Sequence, residues 1–519
     1  MDDATISFIV LGALVALFLS NRLPVEAVAL LGALALYLTG VLDLDQTLAG
    51  FGDPTIAFIA ALFVVSEALD ATGVTIWIGQ VLMARAGAET GRLVALTLLL
   101  VAGLAALITV TGAVAALLPV VVVMAVRLGI PPSRLLMPVA FTASAGSLLA
   151  LSGTPVNVIV SEASHDAGAG GFAYFEFALV GLPLVAGTVL ISLLLGPRLL
   201  PARTPQAIPA DLSRHARTLA DQYALDAGAL LTSGRGVAEV VVPPRSELIG
   251  ERVFPGQATD NGDLIVVGVQ RRGEPQGPDA TELAQGDALL LQGAWTALDE
   301  RLAEPDLLAV HEPDVLRRQA VPLSSGARTT LAIVAAMVVL LASGWAPPAI
   351  ATLAAATALV VLGVVPVARA YRAISWTTIV LIGAMIPVST AIQQSGAAGQ
   401  LADVLVDAVG GAGPRVLLLA LFAVTAVLGQ LISNTATALV IIPIAVSAAR
   451  DLDISARPVL MSVAVAAAAS FLTPVATPAN LIVMEPGGYR FGDYWRLGLP
   501  VLALFGVVAT LLVPLIWAP

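Results

Sequence analysis

The sequence predicts an all-α polytopic membrane protein with two inverted repeats, each of five spans plus one re-entrant hairpin, and an inserted small α/β cytoplasmic domain. Of its 519 residues, 58% are hydrophobic and only 12% are charged, about half the charged fraction of a soluble domain. Apolar stretches long enough to cross a bilayer recur in both halves of the chain. The second half also repeats motifs of the first at a near-constant offset.

Ten apolar segments are predicted to span the membrane. In the first repeat, residues 1–204, they lie near 5–20, 23–41, 55–72, 135–165 and 174–197. In the second repeat, residues 323–519, they lie near 328–344, 347–366, 375–394, 457–485 and 494–517. Two further apolar stretches, 92–127 and 415–450, carry a polar break in the middle. We expect these two stretches to fold as re-entrant hairpins.

A Thr-Pro-x-Asn motif marks the same place in both repeats. It begins at Thr154 in the first repeat and at Thr477, 323 positions later, in the second. Proline removes a donor from the helical hydrogen-bond ladder, so the spans 135–165 and 457–485 are predicted to be broken helices. An odd number of spans per repeat places the two copies in opposite orientations, which is typical of secondary transporters.

Arginine placement predicts the orientation in the membrane. Most arginines at the ends of the predicted spans fall on one side, and only Arg415, Arg450 and Arg457 fall on the other. The positive-inside rule makes the arginine-rich side cytoplasmic. We therefore expect a multi-pass protein of the inner (plasma) membrane with both termini outside. Residues 205–322 have a soluble composition with short β-rich segments and are predicted to form the cytoplasmic domain.

Polar residues at the two hairpin breaks predict a binding cavity. The second hairpin has Ser433-Asn434-Thr435 in its middle, and the first has Thr109-Val110-Thr111. Such side chains are costly in hydrocarbon but tolerable where they line a cavity enclosed by protein. Free N–H groups at the start of each second half-helix suit an anion. Two tips and two broken helices are expected to converge near the bilayer midplane.

The Ser-Asn-Thr hairpin followed by Thr-Pro-x-Asn resembles the divalent anion:sodium symporter family of the ion-transporter superfamily. The resemblance implies a homodimeric secondary active transporter that works by an elevator movement and carries a small dianion, such as sulfate or a dicarboxylate, with sodium ions. It implies substrate contacts at Thr111, Thr154, Ser433, Asn434, Thr435 and Thr477. It implies ion contacts at Thr109, Gly153, Asn157, Asn434, Ala476 and Asn480.

The first hairpin departs from the family pattern. Val110 stands where the family has asparagine, and valine cannot bind a cation. Ala105 and Gly429 stand where the family often supplies a hydroxyl. The anion pocket is therefore expected to be retained better than the sodium coupling. Coupling to protons is the alternative, with Glu67, toward the cytoplasmic end of the third span, as a candidate relay. A solvated or paired carboxylate is the other interpretation of Glu67.

The inserted region resembles the C-terminal regulatory subdomain of potassium-conductance regulators (TrkA-C type). The resemblance rests on Val240–Gly250, Val269–Gly273 and Leu283–Gly293. It implies dimerisation and a small regulatory ligand such as a nucleotide. A purely structural domain that has lost its ligand is the alternative.

Other functions fit the sequence less well. A cation/proton antiporter of the same superfold would want an intramembrane carboxylate at the hairpin tips or breaks, which carry none. An ion channel would want glycine-rich filter loops, and an enzyme would want a nucleophile with its base. The chain has no cysteine, a net charge of −11 and no basic stretch, so no nucleic acid partner is expected. No cofactor is expected beyond sodium ions.

Overall fold

The structure is a computed structural model of the chain. It describes residues 2–20, 22–75, 77–78, 90–127, 130–203, 235–259, 262–271, 274–277, 279–294, 297–298, 307–309, 326–409 and 413–518. Residue contacts divide the chain into two compact units. One contains Met1–Ala68, Gly79–Ile208 and Thr329–Pro519, and the other contains Leu69–Ile78 and Pro209–Arg328.

The described regular structure of the first repeat is helical. Its helices are α1 (Asp3–Ser20), α2 (Val25–Leu38), α3 (Leu44–Ala49), α4 (Pro54–Ala71), α5 (Thr90–Leu107), α6 (Val110–Arg127), α7 (Leu136–Gly146), α8 (Pro155–Asp166) and α9 (Ala178–Leu199). The arms α5 and α6 form the first hairpin, and α7 and α8 are the two parts of the first broken helix.

The second half repeats this order. Its helices are α10 (Ala327–Ser343), α11 (Pro348–Val361), α12 (Val367–Ala373), α13 (Trp376–Gln394), α14 (Ala397–Val409), α15 (Pro414–Leu428), α16 (Asn434–Asp451), α17 (Ala456–Ala467), α18 (Pro478–Met484), α19 (Tyr494–Val507) and α20 (Val513–Ile516). A π-helical turn at Val508–Leu512 joins α19 to α20.

The helix order confirms the predicted membrane fold. Helix α11 begins 323 positions after α2, and α18 begins 323 positions after α8. Among the described residues, five segments are long and apolar enough to cross a membrane. They are Asp3–Ser20, Leu44–Ala71, Ala178–Leu199, Trp376–Gln394 and Phe491–Ile516.

Three described helices, α3, α12 and α14, lie outside the predicted segments, and α14 is the longest of them. Helix α14 lies between α13 and the second hairpin, where the sequence analysis placed no element. Its apolar residues alternate with Asp403 and Asp407, so the segment contains no apolar run of spanning length. This amphipathic helix packs with one face against α16.

The inserted region contains a five-stranded sheet with the strand order β4-β3-β6-β1-β7. The strands are β1 (Arg235–Val241), β2 (Arg252–Val253), β3 (Leu264–Arg271), β4 (Glu274–Pro275), β5 (Thr281–Glu282), β6 (Ala288–Ala294) and β7 (Leu308–Ala309), and β2 pairs separately with β5. The three strands expected from the β-rich segments near 237–242, 264–267 and 288–291 fall on β1, β3 and β6. Both ends of the predicted domain, 205–234 and 310–322, lie outside the described residues.

An ion pair between Arg271 and the buried carboxylate of Asp287 connects parts of this sheet. The Arg271 guanidinium donates to both carboxylate oxygens of Asp287, at 2.8 and 2.7 Å, and the Asp287 side chain is 1% exposed. Burial raises the pKa of Asp287, but hydrogen bonds from Arg271 and from the Ala284 N–H, with the Arg271 charge, outweigh burial and lower it. The pair joins the end of β3 to the turn before β6.

Candidate functional site

Each repeat interrupts a helix with a short irregular segment. In the first, α7 ends at Gly146, two 3₁₀ turns follow, and α8 begins at Pro155. In the second, α17 ends at Ala467, a 3₁₀ turn lies at Pro474–Ala476, and α18 begins at Pro478. Proline suits the first helical position because that residue has no intrahelical acceptor for an N–H. The broken helices therefore lie where the Thr-Pro-x-Asn motifs indicate.

Asn157 holds the first break open. Its side-chain Nδ2 donates to the carbonyls of Ser147, at 2.8 Å, and Ala150, at 2.9 Å. Gly153 lies against the same segment, because a Cβ atom there would be 2.1 Å from the Ser147 carbonyl oxygen. Only glycine fits at this position, so its backbone can approach the unwound carbonyls closely.

Asn480 does the same in the second break. Its Nδ2 donates to the carbonyls of Ser470, at 2.9 Å, and Thr473, at 3.1 Å. Tyr494 from α19 donates its hydroxyl to the Asn480 carbonyl at 2.7 Å. Ala476, the other predicted ion contact here, is buried at the end of the 3₁₀ turn. The two asparagines thus donate hydrogen bonds to equivalent carbonyls, 323 positions apart.

Both asparagines keep a free oxygen. Asn157 is fully buried and Asn480 is 1% exposed. In the described part of the chain, the Oδ1 atom of each has no hydrogen-bond partner. The two carbonyl acceptors fix which end of each amide is nitrogen. A buried, unpaired oxygen costs about 1–3 kcal/mol, so a cation or a buried water is expected beside each one.

The first hairpin tip is closed by Thr109. Its Oγ1 atom accepts the Gly112 N–H at 3.1 Å and so caps α6. Thr111, in the first turn of α6, is half-buried. Behind the tip, the Ser152 hydroxyl of the broken helix donates to the Ala106 carbonyl at 2.9 Å. This bond joins the first hairpin to the first break.

The second hairpin tip is closed by Ser433, which accepts the Ala436 N–H at 3.3 Å and caps α16. Asn434 follows it, and its Oδ1 accepts the Ser470 hydroxyl at 2.7 Å. The same Ser470 hydroxyl lies 3.1 Å from the Gly429 carbonyl oxygen. Gly429 stands where the family often has a hydroxyl, and Ser470 supplies a hydroxyl beside it.

Sequence reasoning missed Ser470 and Gln430 as parts of the site. Gln430 donates to the carbonyls of Ala426, at 2.9 Å, and Ala469, at 3.1 Å, and accepts the Leu472 N–H at 2.8 Å. The repeat offset contained a signal for Ser470, since a serine also occupies position 147. When the hairpin tips are aligned so that Val110 matches Asn434, Gln430 matches Ala106, so the repeat gave no hint of it.

Each hairpin packs on the broken helix of the other repeat. Helix α6 contacts α18, and α8 contacts both α16 and α17. In the described residues, the hydroxyls of Thr111, Thr154 and Thr435 make no hydrogen bond to protein. Thr477 is used locally, because its Oγ1 accepts the Asn480 N–H at 3.2 Å and caps α18. The predicted substrate contacts thus lie at the starts of helices that pack together.

The site carries no basic side chain. The sequence has no Lys or Arg between 93 and 126, 135 and 197, 416 and 449, or 458 and 489. Positive potential at the tips comes from the N-termini of α6, α8 and α16, each a helix of twelve residues or more. A dianion bound there would gain further stabilisation from a bound cation.

A cavity of about 190 Å³ lies beyond the first break. It is lined by residues from the start of α4, the second half of α8, the end of α13 and α16, among them Asp53, Glu162, Asp166 and Arg450. None of the predicted substrate or ion contacts lines it. The cavity begins at Ile159, little more than one turn along α8 from Pro155.

The candidate relay Glu67 is engaged in an ion pair. Its Oε1 atom accepts the Arg369 Nε–H at 2.6 Å, and both side chains are about one-fifth exposed. This pair joins α4 to α12 across the two repeats. Glu67 is accordingly a paired carboxylate near the end of a helix.

Comparison with known proteins agrees with this architecture. The chain matches the family described as "Citrate transporter" over residues 15–452 and 408–518. It is 30% identical to the uncharacterized transporter YfbS of Escherichia coli (strain K12), with 98% of each chain covered. It is 26% identical to sodium/sulfate cotransporter 1 of Chlamydomonas reinhardtii, over 53% of this chain and 32% of that protein.

The fold resembles one solved transporter structure. The Alcanivorax borkumensis YdaH transporter matches with a TM-score of 0.50 at 16% identity, covering 97% of this chain and 99% of that one. The helices and the comparisons together define a multi-pass membrane transporter rather than an enzyme. The chain belongs to the citrate transporter family. The predicted kinship with the divalent anion:sodium symporters is thereby confirmed.

Proposed function

We propose that this transporter is a secondary active symporter of a small, multiply charged anion, such as sulfate or a dicarboxylate, coupled to sodium ions or protons. The carrying observation is the pair of capped hairpin tips packed against two broken helices, with free hydroxyls and no basic side chain. Helix N-termini and hydroxyls suit an anion. The missing basic residues make a co-transported cation the natural source of charge balance.

The relatives support the substrate class. The family is described as "Citrate transporter", and one relative is a sodium/sulfate cotransporter. The substrate contacts would be Thr111, Thr154, Ser433, Asn434, Thr435 and Thr477. The free Oδ1 atom of Asn480 supports a cation site at the second break, with Asn434 and Ala476. Asn157, Thr109 and Gly153 are the corresponding ion contacts predicted at the first break.

The proposal includes the oligomeric state, the membrane orientation and the role of the inserted domain. The transporter works as a homodimer in the plasma membrane, with both termini outside and an elevator movement of the hairpins and broken helices. The TrkA-C-like domain at 205–322 lies in the cytoplasm and responds to a small ligand such as a nucleotide. The five-stranded sheet found there supports a folded regulatory domain.

Uptake by purified protein in liposomes tests the proposal. Radiolabelled sulfate, succinate and citrate are each offered with an inward sodium gradient, an inward proton gradient or neither. We expect accumulation of at least one anion, driven by at least one gradient. Cation transport against a proton gradient, with none of the three anions accumulated, would instead identify the cation/proton antiporter.

A further inference from the structure

The two repeats differ in how the hairpin tip is tied to the broken helix. In the second repeat, the tie runs through the first residue of α16. Asn434 Oδ1 accepts the Ser470 hydroxyl at 2.7 Å, and that hydroxyl also lies near the Gly429 carbonyl. Asn480 also contacts Ser470, because its Nδ2 donates to the Ser470 carbonyl at 2.9 Å. The side-chain amides of Asn434 and Asn480 therefore both lie beside Ser470.

The first repeat cannot make the same tie. Val110 occupies the position of Asn434, as the first residue of α6. Ser147, the equivalent of Ser470, donates its hydroxyl to the Ser144 carbonyl of its own helix at 2.8 Å. Asn157 alone offers a side-chain amide oxygen, and a single buried water is enough to satisfy it.

The first repeat has another tie in place of this one, which we name the hydroxyl clamp and define as Ser152 and Tyr174. Ser152 has one hydroxyl proton and donates it to the Ala106 carbonyl at 2.9 Å. The Tyr174 hydroxyl, 2.6 Å away, must therefore donate to the Ser152 oxygen. The Tyr174 carbonyl also accepts the Leu151 N–H at 2.8 Å.

The clamp is buried and belongs to this repeat alone. Ser152 is 2% exposed and Tyr174 is 3% exposed, so their bonds form away from water. The residue equivalent to Ser152 in the second break is Val475, which is 59% exposed and has no hydroxyl. The clamp joins the end of α5, the first break and the loop before α9 into one hydrogen-bonded unit.

We infer that the hydroxyl clamp takes the place of a coupling cation at the first hairpin, so that a single cation, held at the second hairpin, couples transport. A cation in a dry site needs several oxygens to replace its hydration shell. Val110 removes one of these oxygens, and the clamp supplies the mechanical tie without a charge. This inference rests on the proposed cation-coupled transport, and it makes Ser152 and Tyr174 positioning residues.

Labelling of single cysteines tests the clamp independently of transport. The chain contains no cysteine, so Val110→Cys and Leu431→Cys each report on one hairpin tip. Maleimide labelling of the purified, detergent-solubilised protein is compared in sodium chloride and choline chloride, at several pH values. Because maleimide reacts with the thiolate, rates at each pH are first divided by the rate of a free thiol at that pH. We expect sodium or protons to lower this relative rate at position 431 and to leave it unchanged at position 110.

Adding Tyr174→Phe should then raise the labelling rate at position 110 about five-fold, as expected for loss of one buried hydrogen bond. Ser152→Ala removes both hydrogen bonds of the clamp and should raise the rate further. The rate at position 431 should not change. Tyr371→Phe is the matched control, because it removes a tyrosine hydroxyl from a side chain that is 62% exposed. Wild-type labelling at position 110 in both clamp variants would refute the clamp's role.

The number of cations is measured separately. Uptake of the accumulated anion against cation concentration should give a Hill coefficient near one, and Tyr174→Phe should lower the maximal rate without changing the half-saturating cation concentration. Equal cation protection at positions 110 and 431, or a Hill coefficient of two, would overturn the inference. Absence of all anion uptake would refute the proposed function, while the labelling at position 110 would still decide the clamp.

Discussion

Substitution of Asn434 by alanine should separate transport from stability. Asn434 makes one side-chain hydrogen bond, from the Ser470 hydroxyl at 2.7 Å, and is half-buried. Ser470 keeps its contact with the Gly429 carbonyl in the variant. The free energy of unfolding should therefore fall by only about 1 kcal/mol, which corresponds to a Tm shift of about 1 °C for a chain of 519 residues.

Transport should be affected far more. Asn434 supplies the amide oxygen of the proposed cation site and begins α16 at the proposed substrate site. Loss of one ligand in a water-poor site, at about 1–3 kcal/mol, lowers affinity by roughly five-fold to more than a hundred-fold. We expect anion uptake by Asn434→Ala in proteoliposomes to fall to background. Thermal unfolding of the same preparation measures the stability.

Gln394→Ala is the matched control for this experiment. Gln394 also uses its side-chain amide oxygen in one hydrogen bond, from Gln46 Nε2 at 3.2 Å. That bond is exposed and lies at the end of α13, and neither glutamine belongs to a hairpin. Uptake by the control should match the wild type. Wild-type uptake by Asn434→Ala, or a collapse of its stability, would contradict the assignment of Asn434.

Three further predictions address other parts of the chain. Uptake and thermal unfolding test Thr477 in the same way as Asn434. Thr477→Ala should abolish uptake and lower the free energy of unfolding by about 1 kcal/mol, because the N-cap of α18 is lost. Thr477→Ser retains the cap. Wild-type uptake by the alanine variant would contradict this prediction. Cysteines at Arg127 and Arg450 should label from opposite sides of the membrane, and labelling from one side would refute the inverted hairpins. A flexible linker in place of 205–322 should leave substrate-induced thermal stabilisation intact, and its loss in a folded protein would show that the domain completes the site.

The pH dependence of the inserted domain follows from Asp287. Its pKa is lowered in the folded state, so the ion pair with Arg271 stabilises the domain above the unfolded carboxyl pKa of about 3.9. That contribution is lost as the pH falls through the lower folded value. Asp287→Asn should abolish this acid-dependent loss and weaken protection of 235–294 at neutral pH, as measured by hydrogen exchange in the full chain. Unchanged protection would contradict this.

Local features of the sequence predicted much of the fold. Hydropathy placed the spans, because a bilayer imposes a minimum apolar length on every crossing helix. The Thr-Pro-x-Asn motifs located both breaks, because proline ends a helix through its own ring and missing N–H. Thr109 and Ser433 were placed at the hairpin tips, where both turned out to cap the following helix.

Helix α14 and the role of Glu67 were harder to predict. The amphipathic α14 contains no long apolar run, so a criterion based on spanning length could not find it. The sequence shows Glu67 only as a carboxylate toward the end of a span. Its partner Arg369 lies 302 positions away in the other repeat. Local sequence patterns do not predict a contact between two residues so far apart in the chain.

By itself, then, the sequence determined the membrane environment, the repeated architecture and the residues at each helix start, since these depend on local composition and on periodicity. Only the tertiary structure decided how the tips are held. Ser470 reaches Asn434, and Ser152 reaches Ala106 and Tyr174, across 22 to 46 positions. These side-chain bonds depend on where the folded chain brings each hairpin against its broken helix. For that reason two repeats that begin from one pattern can end with different means of closing their hairpins.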